Sequence, residues 1–185
     1  MAKIYVFLAD GCEEIEALTP VDLLRRAGNE VCTVSVMGRQ TVCGSHGIAI
    51  GADAILEEAS LADGDLFVLP GGMPGTKHLL ENQTLAALLK QKDGEGKRLA
   101  AICAAPWVLG NLGMLQGRRA VCYPGMEEHL TGAEALSVPV VTDGPVTTAR
   151  GVGAAVDFAL ELIRLLNGEE KAVAVKEEVV YPYGC

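Results

Sequence analysis

Hydrophobic positions along the chain fall into short runs of strand length, separated by segments with helical spacing. The strand-length runs lie at residues 3–9, 30–37, 65–69 and 99–102. Continuous rather than alternating apolar runs are typical of strands that are covered on both faces. Residues 13–27 have helical spacing and end at Gly28, which suits a helix C-cap. Strand, helix and strand in this order form a βαβ unit and predict a parallel sheet.

The rest of the pattern predicts more helices and several edge strands. Helical spacing continues at residues 82–91, at 151–166 and, as a short last helix, from 169 onward. A short acidic helix is predicted at 53–59, and short strands at 40–50, 120–122, 138–142 and 146–149. This alternation predicts the α/β class, with helices on both faces of a mostly parallel sheet. The 185 residues suit one domain, 1–185, with a sizeable core.

The segment Leu99–Trp107 carries the first candidate chemistry. Its apolar strand ends at Cys103, and two alanines and Pro106 follow before an apolar helical segment begins. A nucleophile at such a turn lies at the carboxyl ends of the strands, where open α/β sheets bind ligands. It also faces the amino end of the next helix, which favours a thiolate. The alternative is a structural cysteine, because free cysteines are among the most buried residues.

The dipeptide Gly71-Gly72 follows another buried strand. Glycine lets a second group approach the backbone closely. If this loop lies beside the Cys103 turn, the N–H groups of Gly72 and Ala104 could bracket an oxyanion. The alternative is a plain turn that starts a helix.

An acidic run, Glu13-Glu14-Ile15-Glu16, opens the first predicted helix. Most acidic residues at a helix start are solvated partners of the helix dipole. One of these could instead lie near Cys103, because the loop after the first strand opens on the same sheet edge. A carboxyl group beside a thiolate would keep the pair from losing both protons and would act as a general acid or base. Helical spacing does not choose between Glu13 and Glu16.

Composition excludes several functions. The net charge of −9 argues against non-specific nucleic-acid binding, which needs a basic surface. No apolar run is long enough for a membrane span, and the start of the chain lacks the pattern of a signal peptide. Six cysteines without a CxxC pair predict a cytoplasmic protein with reduced thiols: Cys12, Cys32, Cys43, Cys103, Cys122 and Cys185. The histidines His46, His78 and His129 lack metal-ligand spacing.

Taken together, these motifs resemble the ThiJ/PfpI superfamily, and most of all its branch of the parkinsonism-associated protein deglycase. The likeness runs through residues 11–16, 22–28, 68–72, 100–106, 150–153 and 157–160. The resemblance implies a flavodoxin-like three-layer helix–sheet–helix sandwich and a homodimer. It also implies a nucleophile at Cys103, a protonated acid at Glu16, and oxyanion donors in the backbone of Gly72 and Ala104.

The resemblance further implies an enzyme that acts on dicarbonyls such as methylglyoxal, or on their early adducts with proteins, without metal or organic cofactor. Two alternatives remain: a redox-sensing stress protein or chaperone that uses Cys103 as an oxidisable switch, and an amidase or peptidase. Ala104 stands where the superfamily proteases typically have histidine, which argues against a peptidase. Tyr123 stands where the deglycase branch often has histidine, which leaves proton transfer to Glu16.

Overall fold

The structure, a computed structural model, describes residues 1–182. Its strands are β1 Lys3–Leu8, β2 Glu30–Ser35, β3 Thr41–Cys43, β4 Ala49–Gly51, β5 Ala54–Ile55, β6 Leu66–Leu69, β7 Arg98–Ile102, β8 Arg119–Ala120, β9 Glu134–Ala135, β10 Val140–Asp143 and β11 Val146–Ala149. Its α-helices are α1 Glu14–Arg26, α2 Gly75–Glu81, α3 Gln83–Gly94, α4 Pro106–Asn111, α5 Ala155–Asn167 and α6 Glu169–Glu178. Two 3₁₀ turns span Glu127–His129 and Val152–Ala154.

A seven-stranded sheet runs through the centre in the order β10-β11-β7-β6-β1-β2-β5. All neighbouring pairs are parallel except β10 and β11, which form an antiparallel hairpin at one edge. The predicted excursion at 40–50 is the separate β3–β4 hairpin. Because β1, β6 and β7 are neighbours and parallel, the loops that follow them open at the same edge of the sheet.

Each face of the sheet has its own hydrophobic core. One core packs α1, α5 and α6 against side chains such as Val6, Val68 and Ile102. The other packs α2, α3 and α4 against Phe7, Phe67 and Leu99 on the opposite face. Consecutive residues of a strand therefore enter different cores, which explains why the strands are continuous apolar runs. The predicted three-layer sandwich with a mostly parallel sheet is confirmed.

Two predicted elements differ from the structure, and one helix was not predicted. The acidic helix at 53–59 is wrong: Asp53 accepts hydrogen bonds from Thr33 at 2.8 and 2.9 Å, and β5 then pairs with β2 at the sheet edge. Helix α2 was not predicted, because Gly75 after a proline reads as a turn. The helix predicted at 151–166 begins as the 3₁₀ turn Val152–Ala154, and α5 then runs from Ala155 to Asn167.

No helix within residues 1–182 is both long enough and apolar enough to cross a membrane.

Candidate active site

Cys103 lies at a strained turn between β7 and α4. Its φ of 65° is in the left-handed region, which is costly for any residue other than glycine. Two backbone hydrogen bonds hold this conformation: the Cys103 N–H donates to the Ala149 carbonyl at 2.9 Å, and its carbonyl accepts from Tyr123 N at 2.8 Å. The side chain is half-buried. The turn predicted from the sequence is therefore present, and neighbouring segments hold it on both sides.

Glu16 lies in the first turn of α1 and is fully buried. The side chain of Glu13 caps the helix, accepting a hydrogen bond from Glu16 N at 2.8 Å. Oε2 of Glu16 accepts a hydrogen bond from Gly71 N at 3.1 Å. Its other oxygen, Oε1, has no hydrogen-bond partner among the described residues. A buried carboxyl oxygen without a partner is costly, so this atom is a natural point for a proton or a substrate hydroxyl.

Gly71 makes the contact between the acid and the cysteine possible. A Cβ at Gly71 would lie 2.6 Å from Glu16 Oε2 and 2.7 Å from the Cβ of Cys103, closer than packed atoms allow. The Gly71 carbonyl also accepts a hydrogen bond from Glu13 N at 3.0 Å. The loop after β6 is thus wedged between the start of α1 and the Cys103 turn, and only glycine fits there.

Burial raises the pKa of both the acid and the thiol, and the acid raises that of the thiol further. Burial raises the pKa of Glu16 to about 7, against the hydrogen bonds from Cys103 and Gly71. Burial and then the charge of Glu16 raise the pKa of the Cys103 thiol to about 12. The pair therefore holds at least one proton at neutral pH, as the sequence predicts. Burial and the neighbouring carboxylate oppose negative charge on the Cys103 sulfur, and two backbone groups favour it.

Two backbone N–H groups, those of Gly72 and Ala104, donate to the Cys103 sulfur and act to lower its pKa. Gly72 has a φ of 88°, in the left-handed region, and this conformation sets the direction of the loop. A Cβ there would lie 2.3 Å from Glu13 N, so glycine is required. The structure thus brings the two predicted donors to one sulfur, where they would also meet the oxygen of a group bound to it.

A cavity of about 570 Å³ lies beside the pair, lined by Tyr123, Pro124, Arg150, Gly151 and Val152 among others. A Cβ on Gly151 would lie 3.6 Å from the Tyr123 ring and 3.9 Å from Glu16 Oε1. The free oxygen of Glu16 is therefore near the wall of this cavity. Its mixed apolar and polar lining is typical of a small-molecule site.

The histidines lie elsewhere. His129 stacks on Trp107 with ring centroids 4.1 Å apart. His46 pairs with Glu14 through Nδ1 at 2.8 Å. Within residues 1–182, no histidine hydrogen-bonds to Cys103 or Glu16, and none is a source of the Cys103 pKa shift. A cysteine–histidine dyad of the peptidase kind therefore has no support.

Sequence reasoning missed the environment of Glu14. This residue is buried, and the loop of the β3–β4 hairpin wraps its carboxylate. His46 donates to it from both backbone and ring at 2.8 Å, and Ser45 Oγ donates at 3.3 Å. Gly44 leaves room for the carboxylate, since a Cβ there would lie 2.2 Å from Glu14 Oε1. No local signal links residues that are 32 positions apart.

Two further cysteines, Cys12 and Cys122, are buried in the hydrophobic cores. Burial raises the pKa values of Cys12 and Cys122 to about 11, so both remain thiols. No described cysteine forms a disulfide. Cys185 lies outside the described residues.

Comparison with known proteins identifies the relatives of this chain. The model of the DJ-1/PfpI family matches residues 2–165. The Drosophila melanogaster protein dj-1beta is 36% identical over 180 residues, covering 96% of each chain. A Pyrococcus abyssi protein named as a deglycase is 31% identical over 167 residues, covering 89% of this chain and 99% of that protein. The chain spans only 41% and 44% of the length of two Arabidopsis thaliana DJ-1 homologues.

Solved structures give the same result. The oxidised DJ-1 of Toxoplasma gondii superposes with a TM-score of 0.95 at 36% identity, covering 99% of this chain and all of that one. A cysteine-to-alanine mutant of a DJ-1 superfamily protein from Salmonella typhimurium superposes with a TM-score of 0.94, also at 36% identity and with 99% and 100% coverage.

Proposed function

This chain belongs to the DJ-1/PfpI family, and we propose that it is a cysteine-dependent glyoxalase or deglycase that needs no cofactor. Its substrates would be dicarbonyls of the methylglyoxal type or their early protein adducts. The name of the Pyrococcus abyssi relative is consistent with this chemistry. Cys103 would be the nucleophile, Glu16 the general acid and base, and the N–H groups of Gly72 and Ala104 the oxyanion donors.

The observation that carries the proposal is the buried acid beside the cysteine. Glu16 has a pKa of about 7 and one oxygen without a partner. A carboxyl group with a pKa near neutral exchanges protons readily in both directions, which suits general acid–base catalysis. Isomerisation of an aldehyde–ketone pair needs such a group, because a proton must leave one carbon and reach its neighbour.

The reaction begins when the Cys103 sulfur attacks the aldehyde carbon of methylglyoxal. The C–S bond forms, the carbonyl π electrons move to oxygen, and the N–H groups of Gly72 and Ala104 stabilise the developing charge. The proton shared by Cys103 and Glu16 passes through Glu16 to that oxygen. The product is a hemithioacetal, and Glu16 is left as the carboxylate.

Glu16 next removes the hydrogen of the former aldehyde carbon as a proton, which leaves an enediolate. Glu16 returns that proton to the adjacent carbon, and the hydroxyl proton of the former aldehyde carbon passes to the neighbouring oxygen. This step moves two electrons within the substrate, so the former aldehyde carbon is oxidised to a thioester while the ketone is reduced to an alcohol. Water then hydrolyses the thioester, releases lactate and restores the thiol. Because the redox change is internal, no external oxidant or reductant is required.

Lactate formation from methylglyoxal by the fully reduced protein tests this proposal. We expect Cys103→Ala to abolish it. Cys122→Ala is the matched control, because Cys122 is also a buried thiol with a raised pKa, but Glu16 is not among the causes of that shift. Lactate production that persists in Cys103→Ala would contradict the proposed nucleophile, and its absence in the unmodified protein would contradict the proposed activity.

Redox sensing is the second candidate. The same two N–H donors at the half-buried Cys103 would also bind the oxygens of an oxidised sulfur. The raised pKa of the thiol limits the reactive thiolate for both candidates, so it does not choose between them. Lactate formation by reduced protein separates the candidates, since a pure sensor forms none.

We further propose a cytoplasmic homodimer. Ile15 and Leu18 on α1 and Ile48 in the β3–β4 hairpin are exposed, at 52%, 40% and 54% of their surface. Exposed apolar side chains on adjoining elements are typical of a protein–protein interface. Light scattering should give the mass of a dimer, and Leu18→Glu should shift it toward the monomer. An unmodified protein that is monomeric at micromolar concentration would contradict the proposal.

A further inference from the structure

We propose that Arg150 determines the substrate specificity of this site by binding a carboxylate at the far end of the substrate. The preferred substrates are then 2-oxoaldehydes that carry a carboxylate, and methylglyoxal is a short, neutral analogue of them. This inference rests on the proposed reaction at Cys103 and Glu16 and adds a specificity-determining residue to it. Arg150 lies in the loop between β11 and α5 and lines the cavity beside the Cys103–Glu16 pair.

The cavity is larger than methylglyoxal requires. Its volume is about 570 Å³. Methylglyoxal, a molecule of about five non-hydrogen atoms, fills about 150 Å³ if each atom takes the volume of a water molecule. Cavities of several hundred cubic ångströms are typical of sites that enclose larger ligands. Most of this space is therefore available to a part of the substrate beyond the reacting carbons.

The reacting groups meet this cavity next to Gly151. Glu16 is fully buried, and its Oε1 has no hydrogen-bond partner among the described residues. A Cβ on Gly151 would lie 3.9 Å from that oxygen and 3.6 Å from the Tyr123 ring. Gly151 and Tyr123 both line the cavity, and Arg150, the residue before Gly151, lines it as well. A substrate whose hydroxyl meets Oε1 therefore extends into a space that Arg150 helps to line.

The guanidinium of Arg150 forms no ion pair with a carboxylate within residues 1–182. Its Nη1 donates a hydrogen bond to Ser137 Oγ, and the backbone N–H of Arg150 donates to the Pro139 carbonyl at 2.9 Å. The chain has 24 acidic residues against 15 basic ones. Five other arginines pair with a carboxylate: Arg25, Arg26, Arg39, Arg119 and Arg164. A guanidinium that keeps free N–H donors at a cavity is suited to a two-point contact with a carboxylate.

A second charge, the carboxylate of Asp157, limits the kind of anion. Asp157 lines the same cavity, and its Oδ1 accepts a hydrogen bond from the Tyr181 hydroxyl at 3.1 Å. No second basic residue of the described chain lines this cavity, so nothing there would pair with the second charge of a phosphate. A singly charged carboxylate fits better. Apolar lining suits the carbon chain between the two ends of the substrate: Tyr123, Pro124, Pro139 and Val152.

Turnover of a charged substrate and of its neutral counterpart tests the role of Arg150. The probes are 4,5-dioxopentanoate, a 2-oxoaldehyde with a carboxylate, and its methyl ester. Addition of the Cys103 thiol, isomerisation and hydrolysis convert 4,5-dioxopentanoate and water to 2-hydroxyglutarate, so no oxidant is needed. We expect kcat/KM to favour the carboxylate over the ester by at least about fivefold at low ionic strength, mainly through a lower KM. Arg150→Gln should bring this ratio to about one.

Three further variants sharpen the comparison. Arg98→Gln removes the same charge at the start of β7, at the opposite end of that strand from Cys103, and should keep the ratio of the unmodified protein. Arg150→Lys keeps a cation without the planar fork and should retain a smaller preference. Asp157→Asn removes the opposing charge and should raise the ratio. A preference for the carboxylate that is unchanged in Arg150→Gln overturns the proposal.

Protection of Cys103 from alkylation by iodoacetamide gives a readout that needs no turnover. The probes here are 4-oxopentanoate, which lacks the aldehyde, and its methyl ester. In the unmodified protein the carboxylate should protect Cys103 at a concentration at least about fivefold lower than the ester does. In Arg150→Gln the two probes should protect equally. Mass spectrometry of the alkylated Cys103 peptide measures the protection.

The two assays separate this proposal from the proposed function. A protein that forms lactate from methylglyoxal but treats the carboxylate and the ester alike in both assays overturns the role of Arg150 and leaves the proposed function intact. A protein that forms no lactate, yet shows protection that depends on Arg150, contradicts the proposed function and supports the carboxylate site.

Discussion

Glu14 and Glu16 are two residues apart on one helical turn, both are buried, and their carboxyl groups have opposite properties. Burial disfavours the charge of Glu14, but the hydrogen bonds of His46 outweigh it and lower the pKa to about 2. Burial raises the pKa of Glu16 to about 7, and the hydrogen bonds from Cys103 and from Gly71 N do not compensate. Glu14 is therefore a permanent anion, whereas Glu16 exchanges a proton near neutral pH.

The difference comes from the number of donors together with the deeper burial of Glu16. Glu14 faces the hairpin loop and receives hydrogen bonds on both oxygens. Glu16 faces the Cys103 turn and keeps one oxygen free. Two carboxyl groups whose surroundings move their pKa values apart are typical of sites that need an acid or base at neutral pH. By this comparison Glu14 is a structural carboxylate, whereas Glu16 is suited to exchange protons.

The largest expected effect is kinetic. Glu16→Gln should lower kcat for methylglyoxal about 10²–10⁴-fold, because an amide cannot exchange the proton that the isomerisation moves. Glu14→Gln should change kcat by less than about tenfold once corrected for the folded fraction. Lactate production by purified variants at equal folded concentration measures both. Similar losses of kcat in the two variants would contradict the different roles assigned to Glu14 and Glu16.

The pH dependence of stability should come next. The pKa of Glu16 is raised on folding, from 4.5 to about 7, so its contribution is fully present below pH 4.5 and is lost as the pH rises toward 7. Glu16→Gln cannot ionise and should gain stability relative to the unmodified protein over that interval, by up to about 3 kcal/mol. Urea unfolding at a series of pH values measures the gain. A difference that is constant with pH would show that Glu16 has an ordinary pKa.

Glu14→Gln should show the opposite trend. The pKa of Glu14 is lowered on folding, so the stability from its charge is present above pH 4.5 and disappears as the pH falls toward 2. At neutral pH the variant should lose about 1–3 kcal/mol, the usual cost of losing hydrogen bonds to a charged group. The same urea series should show this loss vanishing in acid. A loss that persists at low pH would indicate a packing defect instead.

The smallest effects concern the two glycines that make room for these carboxyl groups. A methyl at Gly44 meets the Glu14 carboxylate, and one at Gly71 meets both Glu16 and Cys103. We expect each alanine substitution to cost about 1–3 kcal/mol of stability, the usual range for overpacking. Only Gly71→Ala should also lower kcat in the folded protein. Equal kcat in the two variants would show that the close packing of Gly71 against Glu16 and Cys103 does not affect the reaction.

Much of the architecture could be read from local patterns. The apolar runs predicted the parallel strands, and Gly28 marked the end of the first helical unit. The cysteine after the β7 run indicated a strand-to-helix turn, which the structure contains. Where the pattern failed, a distant contact had decided the outcome: Thr33 holds Asp53 at the sheet edge, so residues 54–55 form a strand instead of a helix.

The amino-acid sequence alone determined the layers of this protein, because the spacing of apolar residues encodes which faces are buried. It also determined that a cysteine follows a buried strand. Its acidic run left Glu13 and Glu16 equivalent by helical spacing, and only the resemblance to a family favoured Glu16. Tertiary structure alone decided the protonation of the carboxyl groups. A pKa depends on burial and on donors within a few ångströms, and here those donors come from Gly71 and His46, which are 55 and 32 positions away.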